Sequence, residues 1–392
     1  MAIFSIFSLQ DFVYLSLTFV TIYVINFYFN YFRRPDKLPG PIPLPIIGNL
    51  HQYTNDLSVW GKWIQSNYGD IGEVWFGNKR AIWIGGTKYL EKILKPSPGN
   101  YNARTAPNEA LDKLDMNLKG IGLNRDYDTW HSNRKYFTRA ISFPLFLRLS
   151  VKFTQSLFLE MENYWDDLNR RNIEIDMSEW MIRFFAEAIF LITTSKKSYA
   201  LKNHHEVLCF PKKDSADTEN LVKHVRSIFR SFEFYLTTPK FMYIIPSYHK
   251  YSKKLLESFD WMRKYYLPNI IKERREEIER SPIDEELVPD MLTMMLTFNT
   301  ERDKSKDTST DEPSEPMSNV NICENLFEIV VGGIDTSTNT FCYVIYYLCQ
   351  YPKVKQRLIE EIQQVFGSNS KFDVKYEELN KLHYCEAVLK EG

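Results

Sequence analysis

One stretch limits the fold more than any other: residues 322–350 are apolar on nearly every helical face. A helix of that kind is buried all round, so it has to run through the middle of a large domain. Its centre nevertheless reads Gly332-Gly333-Ile334-Asp335-Thr336-Ser337. Each glycine inside a helix costs up to ~1 kcal/mol relative to alanine, and a buried carboxyl has to be paired or solvated. A sequence selected for packing alone would avoid both. Gly333 would let a flat cofactor or a small ligand approach the backbone. The Thr336 hydroxyl can donate, accept and bond to a backbone carbonyl, and Asp335 beside it is a candidate proton relay. From the residues alone, the segment is either a kinked core helix with a buried polar cluster or a reaction site.

The surroundings of this helix set the fold class. Helical periodicity covers residues 145–169, 177–194, 218–235 and 251–280, while residues 71–76 and 81–84 are short β-type runs around Gly77-Asn78-Lys79-Arg80 and predict a hairpin. The chain is thus mainly α with a small β region (α+β). The mixed-sign run at residues 272–280 reads as a solvated helix face, and the polar stretch at 299–318 as a surface loop. A net charge of -1 gives no reason to expect nucleic acid. The five cysteines, Cys209, Cys323, Cys342, Cys349 and Cys385, are an odd number without C-x-x-C spacing, which reads as neither a disulfide framework nor a zinc site and fits a reducing compartment.

The N-terminus predicts a membrane address. Residues 12–32 contain no charged side chain, enough for the ~20 residues of a bilayer-spanning helix. Arg33, Arg34 and Lys37 follow, and only Asp11 precedes, so the positive-inside rule places the rest of the chain in the cytosol. Next comes a segment dense in proline, from Pro35 through Pro39, Pro41, Pro43 and Pro45, which cannot be helical and should be an extended spacer. Ile42, Leu44 and Ile46 alternate along it as if packing against the fold. The predicted organisation is an anchor at 1–32, a hinge at 33–50 and one domain at 51–392.

The hexapeptide at 332–337 resembles the A/G-G-x-D/E-T-T/S motif on the long central helix of the cytochrome P-450 enzymes, haem-thiolate monooxygenases, and meets every specified position. Other similarities fall in order along the chain. The Pro-Gly-Pro hinge after an anchor looks like the microsomal members; Trp130-His131-Ser132-Asn133-Arg134 resembles the W-x-x-x-R helix; Tyr101 to Arg104 looks like the aromatic-x-x-Arg step before it. Residues 351–362 resemble the packing helix that follows the central one. The resemblance implies the family's fold, haem as cofactor and one oxygen atom from O2 inserted into a small lipophilic substrate. It also implies electrons from an NADPH-dependent reductase, and a membrane location, in the endoplasmic reticulum with the domain facing the cytosol. Proton delivery falls to Asp335 and Thr336, and the oxygen side of the haem to Gly332 and Gly333. Trp130 and Arg134, one turn apart on a helix face, would hold a propionate, with His131 a surface residue. The pocket would draw on residues 103–117 and 232–251 and on Ile329 and Ile334.

The similarity also covers the start of the E-x-x-R helix at residues 382–391, with Glu391 as its glutamate and a structural role. The arginine and the F-x-x-G-x-x-x-C-x-G loop would fall past Gly392, so the axial cysteine is expected beyond the chain end and no metal ligand within it. The five cysteines present read as structural thiols. The domain is accordingly expected to be incomplete at its C-terminus and to form no stable haem-thiolate complex. The alternative to the monooxygenase is a non-catalytic, membrane-tethered helical fragment or interaction protein.

Overall fold

The computed structural model describes residues 8–53, 57–77, 79–94, 112–116, 119–210, 220–238, 240–303, 316–367 and 373–391. The expected aromatic-x-x-Arg step at 101–104, most of the pocket segment 103–117 and most of the 299–318 loop lie outside these residues. The backbone divides into two compact units, Met1–Asn102 with Thr237–Phe241, and Ala103–Leu236 with Met242–Gly392.

In the first unit, α1 (Leu9–Arg33) starts at a capping box, in which Ser8 Oγ accepts from the Asp11 N–H and the Asp11 carboxylate accepts from the Ser8 N–H. From Gln10 to Arg33 it is long and apolar enough to cross a bilayer, and of its side chains Tyr31, near the end, is buried. Some polar side chains fold back on the helix itself: Thr18 and Thr21 hydroxyls donate to the carbonyls of Tyr14 and Leu17, both at 2.8 Å. Strands β1 (Ile71–Phe76) and β2 (Lys79–Ile84) pair antiparallel with Ile71 opposite Ile84; the expected hairpin is present, with β2 starting two residues earlier than expected because Lys79 and Arg80 pair with Phe76 and Trp75. Helix α2 (Leu57–Tyr68) presses Trp60 and Ile64 onto Val74 of this hairpin, and α3 (Thr87–Leu94) follows.

The proline-rich segment is fixed by Glu73 on β1. That carboxylate is fully buried and clasped by Arg34 and by Arg80 at 2.9 Å, and accepts from the Leu38 N–H at 3.4 Å. The alternation along the segment faces the opposite way from that expected. Pro41 and Pro43 are buried, whereas Ile42, Leu44 and Ile46 point outward. The reason is local: Leu44 and Gly48 pair backbone to backbone, and Gly48 also bridges Phe76, which turns the prolines toward the hairpin.

The second unit is built around the central helix. Helices α4 (Tyr127–Ile141), α5 (Pro144–Arg170), α6 (Met177–Thr194), α7 (Ala200–Cys209), α8 (Asn220–Thr237), α9 (Pro246–Asp260), α10 (Leu267–Arg280) and α11 (Met291–Thr297) precede it. The central helix α12 (Asn319–Gln350) is followed by α13 (Pro352–Phe366), α14 (Tyr376–Leu379) and α15 (His383–Glu391). Ser318 caps α12 by accepting from the Asn321 N–H at 3.2 Å. Its most extensive packing is against α6, and Phe327, Val330 and Ile334 are fully buried there with Leu292, Met295 and Phe298. The expected single helix over 251–280 is interrupted by a π-helical turn, Trp261–Tyr266. Pro268 accounts for it: without an N–H, and with a ring that clashes with the carbonyl four residues back, it forces the preceding turn wider.

One buried ion pair ties three segments together. Asp290 caps α11 by accepting from the Thr293 N–H at 2.7 Å, and its other oxygen lies 3.2 Å from Arg274 Nη1. The same guanidinium donates to Thr293 Oγ1 at 3.0 Å and to the Thr194 carbonyl at 2.7 Å, at the end of α6. Burial pushes the Asp290 carboxyl upward against the opposing pull of Arg274. A second core lies between α5, α6 and α7, with Leu157, Met161, Leu168, Trp180 and Leu201 enclosed.

Candidate active site

The central helix stays α-helical through its two glycines. At 3.6 residues per turn, Glu328, Ile329, Gly332, Asp335, Thr336, Asn339 and Tyr343 share one face, and Val330, Ile334 and Thr338 the opposite one. Burial follows this division. The three residues of the second group are enclosed, while Thr336, Asn339 and Tyr343 are exposed.

The two glycines differ. Among the described residues, nothing lies within 4 Å of the position a Cβ would take at Gly332. At Gly333 a Cβ would come within 3.1 Å of Ile189 Cδ1 on α6. The space beside the helix backbone is thus open at Gly332, whereas Gly333 packs against Ile189 of α6. Ile334 is 0% exposed and sits in the core, so it does not face the open side; Ile329 is half-buried, on the Gly332 face.

Asp335 is half-buried, and burial raises its carboxyl above the usual range, with Arg226 pulling the other way. Its Oδ2 accepts from Asn339 Nδ2 at 3.2 Å. The Thr336 hydroxyl donates to the Gly332 carbonyl at 2.6 Å. Acid and alcohol are thus adjacent on the open face, each held by a bond one turn along the helix, and a proton-transfer partner could reach both from outside.

A residue not singled out from the sequence stands one turn earlier on this face. Glu328 accepts from the backbone N–H groups of Ile121 and, at 2.7 Å, Gly122. Burial raises its carboxyl, with those N–H donors opposing. Gly120 has φ +74°, a conformation L side chains rarely adopt, and a Cβ there would strike the Glu328 carboxylate. The Ile121 carbonyl accepts from Trp130 Nε1 at 3.0 Å, and the Gly120 carbonyl accepts from Asn133 Nδ2 at 3.1 Å. Asn325, fully buried on α12, donates to Asn133 Oδ1 at 3.2 Å. The two sequence motifs, on α4 and α12, thereby meet through one loop at residues 119–123. A carboxylate in an apolar helix four residues before Gly332 was the available signal.

The other candidates are distributed as follows. Arg134 is exposed, its guanidinium 5.6 Å from the Phe137 ring centre. His131 is exposed and stacks on Tyr127. Glu391 is exposed at the end of α15. Burial raises the thiol pKa of Cys209, Cys342, Cys323 and Cys385, the last two to about 11. Burial thus disfavours the thiolate form of each of these four side chains.

A family model described as cytochrome P450 matches residues 38–392. Cytochrome P450 4d1 of Drosophila melanogaster is 24% identical over 372 residues, covering 90% of this chain and 67% of that protein. A trifunctional (S)-stylopine/(S)-nandinine/(S)-canadine synthase of Argemone mexicana is 23% identical, over 90% of this chain and 62% of its own length. The aromatase of Homo sapiens is 22% identical, over 83% and 56%. The chain spans about two thirds or less of the length of these relatives.

Proposed function

The chain belongs to the cytochrome P450 family, and on that premise we propose that it serves a haem-dependent monooxygenase reaction. One oxygen atom from O2 enters a small lipophilic substrate, with electrons from an NADPH-dependent reductase. Haem, in this family, supplies the oxygen-activating chemistry. The observation that supports its place here is the open space over Gly332, flanked by Asp335 and Thr336. A helix that omits a Cβ where no described residue needs the room loses up to ~1 kcal/mol for nothing, unless another group lies there.

Gly332 would border the flat face of the ring. Asp335, with its raised carboxyl pKa, holds a proton at higher pH than an exposed aspartate does. Thr336 Oγ1 can exchange its bond to the Gly332 carbonyl for one to an incoming group, which makes it the last carrier in a short relay. Arg134 is available to a propionate on charge and exposure. Trp130 would have to exchange its bond to the Ile121 carbonyl to do the same. Ile329 would face an apolar substrate on the Gly332 side. The apolar helix α1 would anchor the chain in the endoplasmic reticulum membrane with the rest in the cytosol, supported by the basic residues Arg33, Arg34 and Lys37 that follow it.

Absorbance titration with haem, with imidazole added as an exogenous axial ligand, tests this placement. Wild type should bind more tightly than Gly332→Leu, whose side chain occupies the open space, while both fold equally well. Equal affinity for haem in the two would remove the haem from this face.

A further inference from the structure

Three side chains remote in sequence from the central motif converge on the rim of the second core. Asp167 comes from α5; His205 and Cys209, four residues apart, come from one face of α7. His205 Nε2 lies 3.0 Å from Asp167 Oδ2, Cys209 Sγ lies 3.4 Å from the same Nε2, and Cys209 Sγ lies 3.8 Å from the same Oδ2. We propose that Asp167, His205 and Cys209 form a binding site for a zinc-class divalent cation that ties α5 to α7.

Two observations support the assignment. The first is convergence. One ring nitrogen, Nε2, faces both the sulfur and the carboxylate, so three ligand-type atoms point at one another. Without an ion, Nε2–H and the thiol can both donate to Asp167 Oδ2; a cation at the centre would bond to all three atoms at once. The shared nitrogen also excludes a Cys-His-Asp nucleophile relay, which uses the two ring nitrogens separately.

The second observation is metric. Zinc bonds of ~2.3 Å to sulfur, ~2.05 Å to nitrogen and ~2.1 Å to oxygen, set tetrahedrally, separate the ligand atoms by roughly 3.6 Å for S–N, 3.6 Å for S–O and 3.4 Å for N–O. The observed triangle departs from these by about 0.4 Å at most, within the reach of small side-chain rotations. Thiolate, imidazole and carboxylate together suit zinc, with water as the fourth ligand. Arg171 Nε, 2.8 Å from Asp167 Oδ2, occupies one of that oxygen's two lone pairs and leaves the other for the ion. Tyr164, stacked on the His205 ring at 4.7 Å, holds the imidazole in plane. Loading moves the imidazole proton to Nδ1 and releases the thiol proton, so about one proton leaves per ion.

Cobalt(II) is the probe for the full chain. Saturable binding of one ion, with a thiolate-to-cobalt charge-transfer band that zinc then displaces, is the expected result. Zinc should also slow alkylation of Cys209, mapped by mass spectrometry, while exposed Cys349 reacts at the same rate with or without it. Cys209→Ser and His205→Gln, with unchanged circular dichroism, should lose the band and weaken cobalt at least tenfold. The assignment fails if the wild-type chain shows no such band, if the band persists in Cys209→Ser, or if zinc leaves the alkylation of Cys209 unchanged. The mapping needs no variant, so a variant that does not fold leaves the test decisive.

Discussion

Replacing Gly332 by alanine separates what the helix wants from what the site wants. Glycine inside a helix is about 0.8–1.0 kcal/mol less favourable than alanine, and among the described residues a methyl group at 332 meets nothing within 4 Å. Gly332→Ala should therefore stabilise the chain by up to about 1 kcal/mol, a rise of roughly 2–4 °C in the thermal midpoint for a domain of a few hundred residues. Gly333→Ala gains the same propensity but has to move Ile189, whose Cδ1 would stand 3.1 Å from the new methyl. In a core packed like an organic crystal that displacement offsets the gain. Thermal unfolding of the two single variants, followed by circular dichroism, gives the comparison. The expected order is Gly332→Ala above wild type and Gly333→Ala at or below it. A destabilised Gly332→Ala would mean that the chain itself occupies the space, and the place proposed for haem would fall with it.

Other outcomes follow from the same contacts. Arg274→Met leaves the Asp290 carboxylate enclosed without its cation and should cost about 3–5 kcal/mol; adding Asp290→Asn should recover part of it, and no recovery in urea unfolding would refute the pairing. Gly120→Ala combines a positive φ, ~1–2 kcal/mol, with eviction of Glu328 from its N–H donors, about 1–3 kcal/mol. Gly69→Ala, also at positive φ but with no neighbour within 4 Å among the described residues, should show the strain alone, so equal losses in the two would refute the clash. Asp335 carries a pKa raised by burial, so the folded chain binds that proton more tightly than the unfolded one. Its contribution to stability grows as pH falls through the raised value toward the ordinary carboxyl range, and Asp335→Asn should flatten that part of the profile. A slope unchanged in the variant would place the titration elsewhere.

The helices read correctly from sequence are those with one wet face. Residues 177–194 match α6 to the residue, because Asp176 caps its start and the apolar stripe is regular. The β-hairpin was legible from its two β-type runs, although Lys79 and Arg80, read as part of the turn, extend the second strand. Helix α11 was missed because all seven of its residues are buried, which leaves no periodicity to detect. Helix α7 was missed because it starts from Tyr199 in a left-handed conformation without a side-chain cap. In the candidate site, Asp335 and Thr336 stood out because polar groups interrupt an apolar run. Which glycine was open could not be read, since that depends on Ile189, which lies far away in sequence. Glu328 was hidden for a similar reason: its partners are backbone N–H groups, which carry no side-chain signature. The Asp167–His205–Cys209 triangle leaves only an H-x-x-x-C trace, because its third member is on another helix.

Ile121 joins two helices through its backbone alone, its N–H to Glu328 and its carbonyl to Trp130. Most side chains exchanged at that position would leave both bonds where they are. Removing or adding a single residue between Gly120 and Trp130 would carry one partner out of register and leave the other behind. The segment is therefore permissive in its spelling and strict in its length, so a designer who wishes to alter it should substitute freely and count carefully.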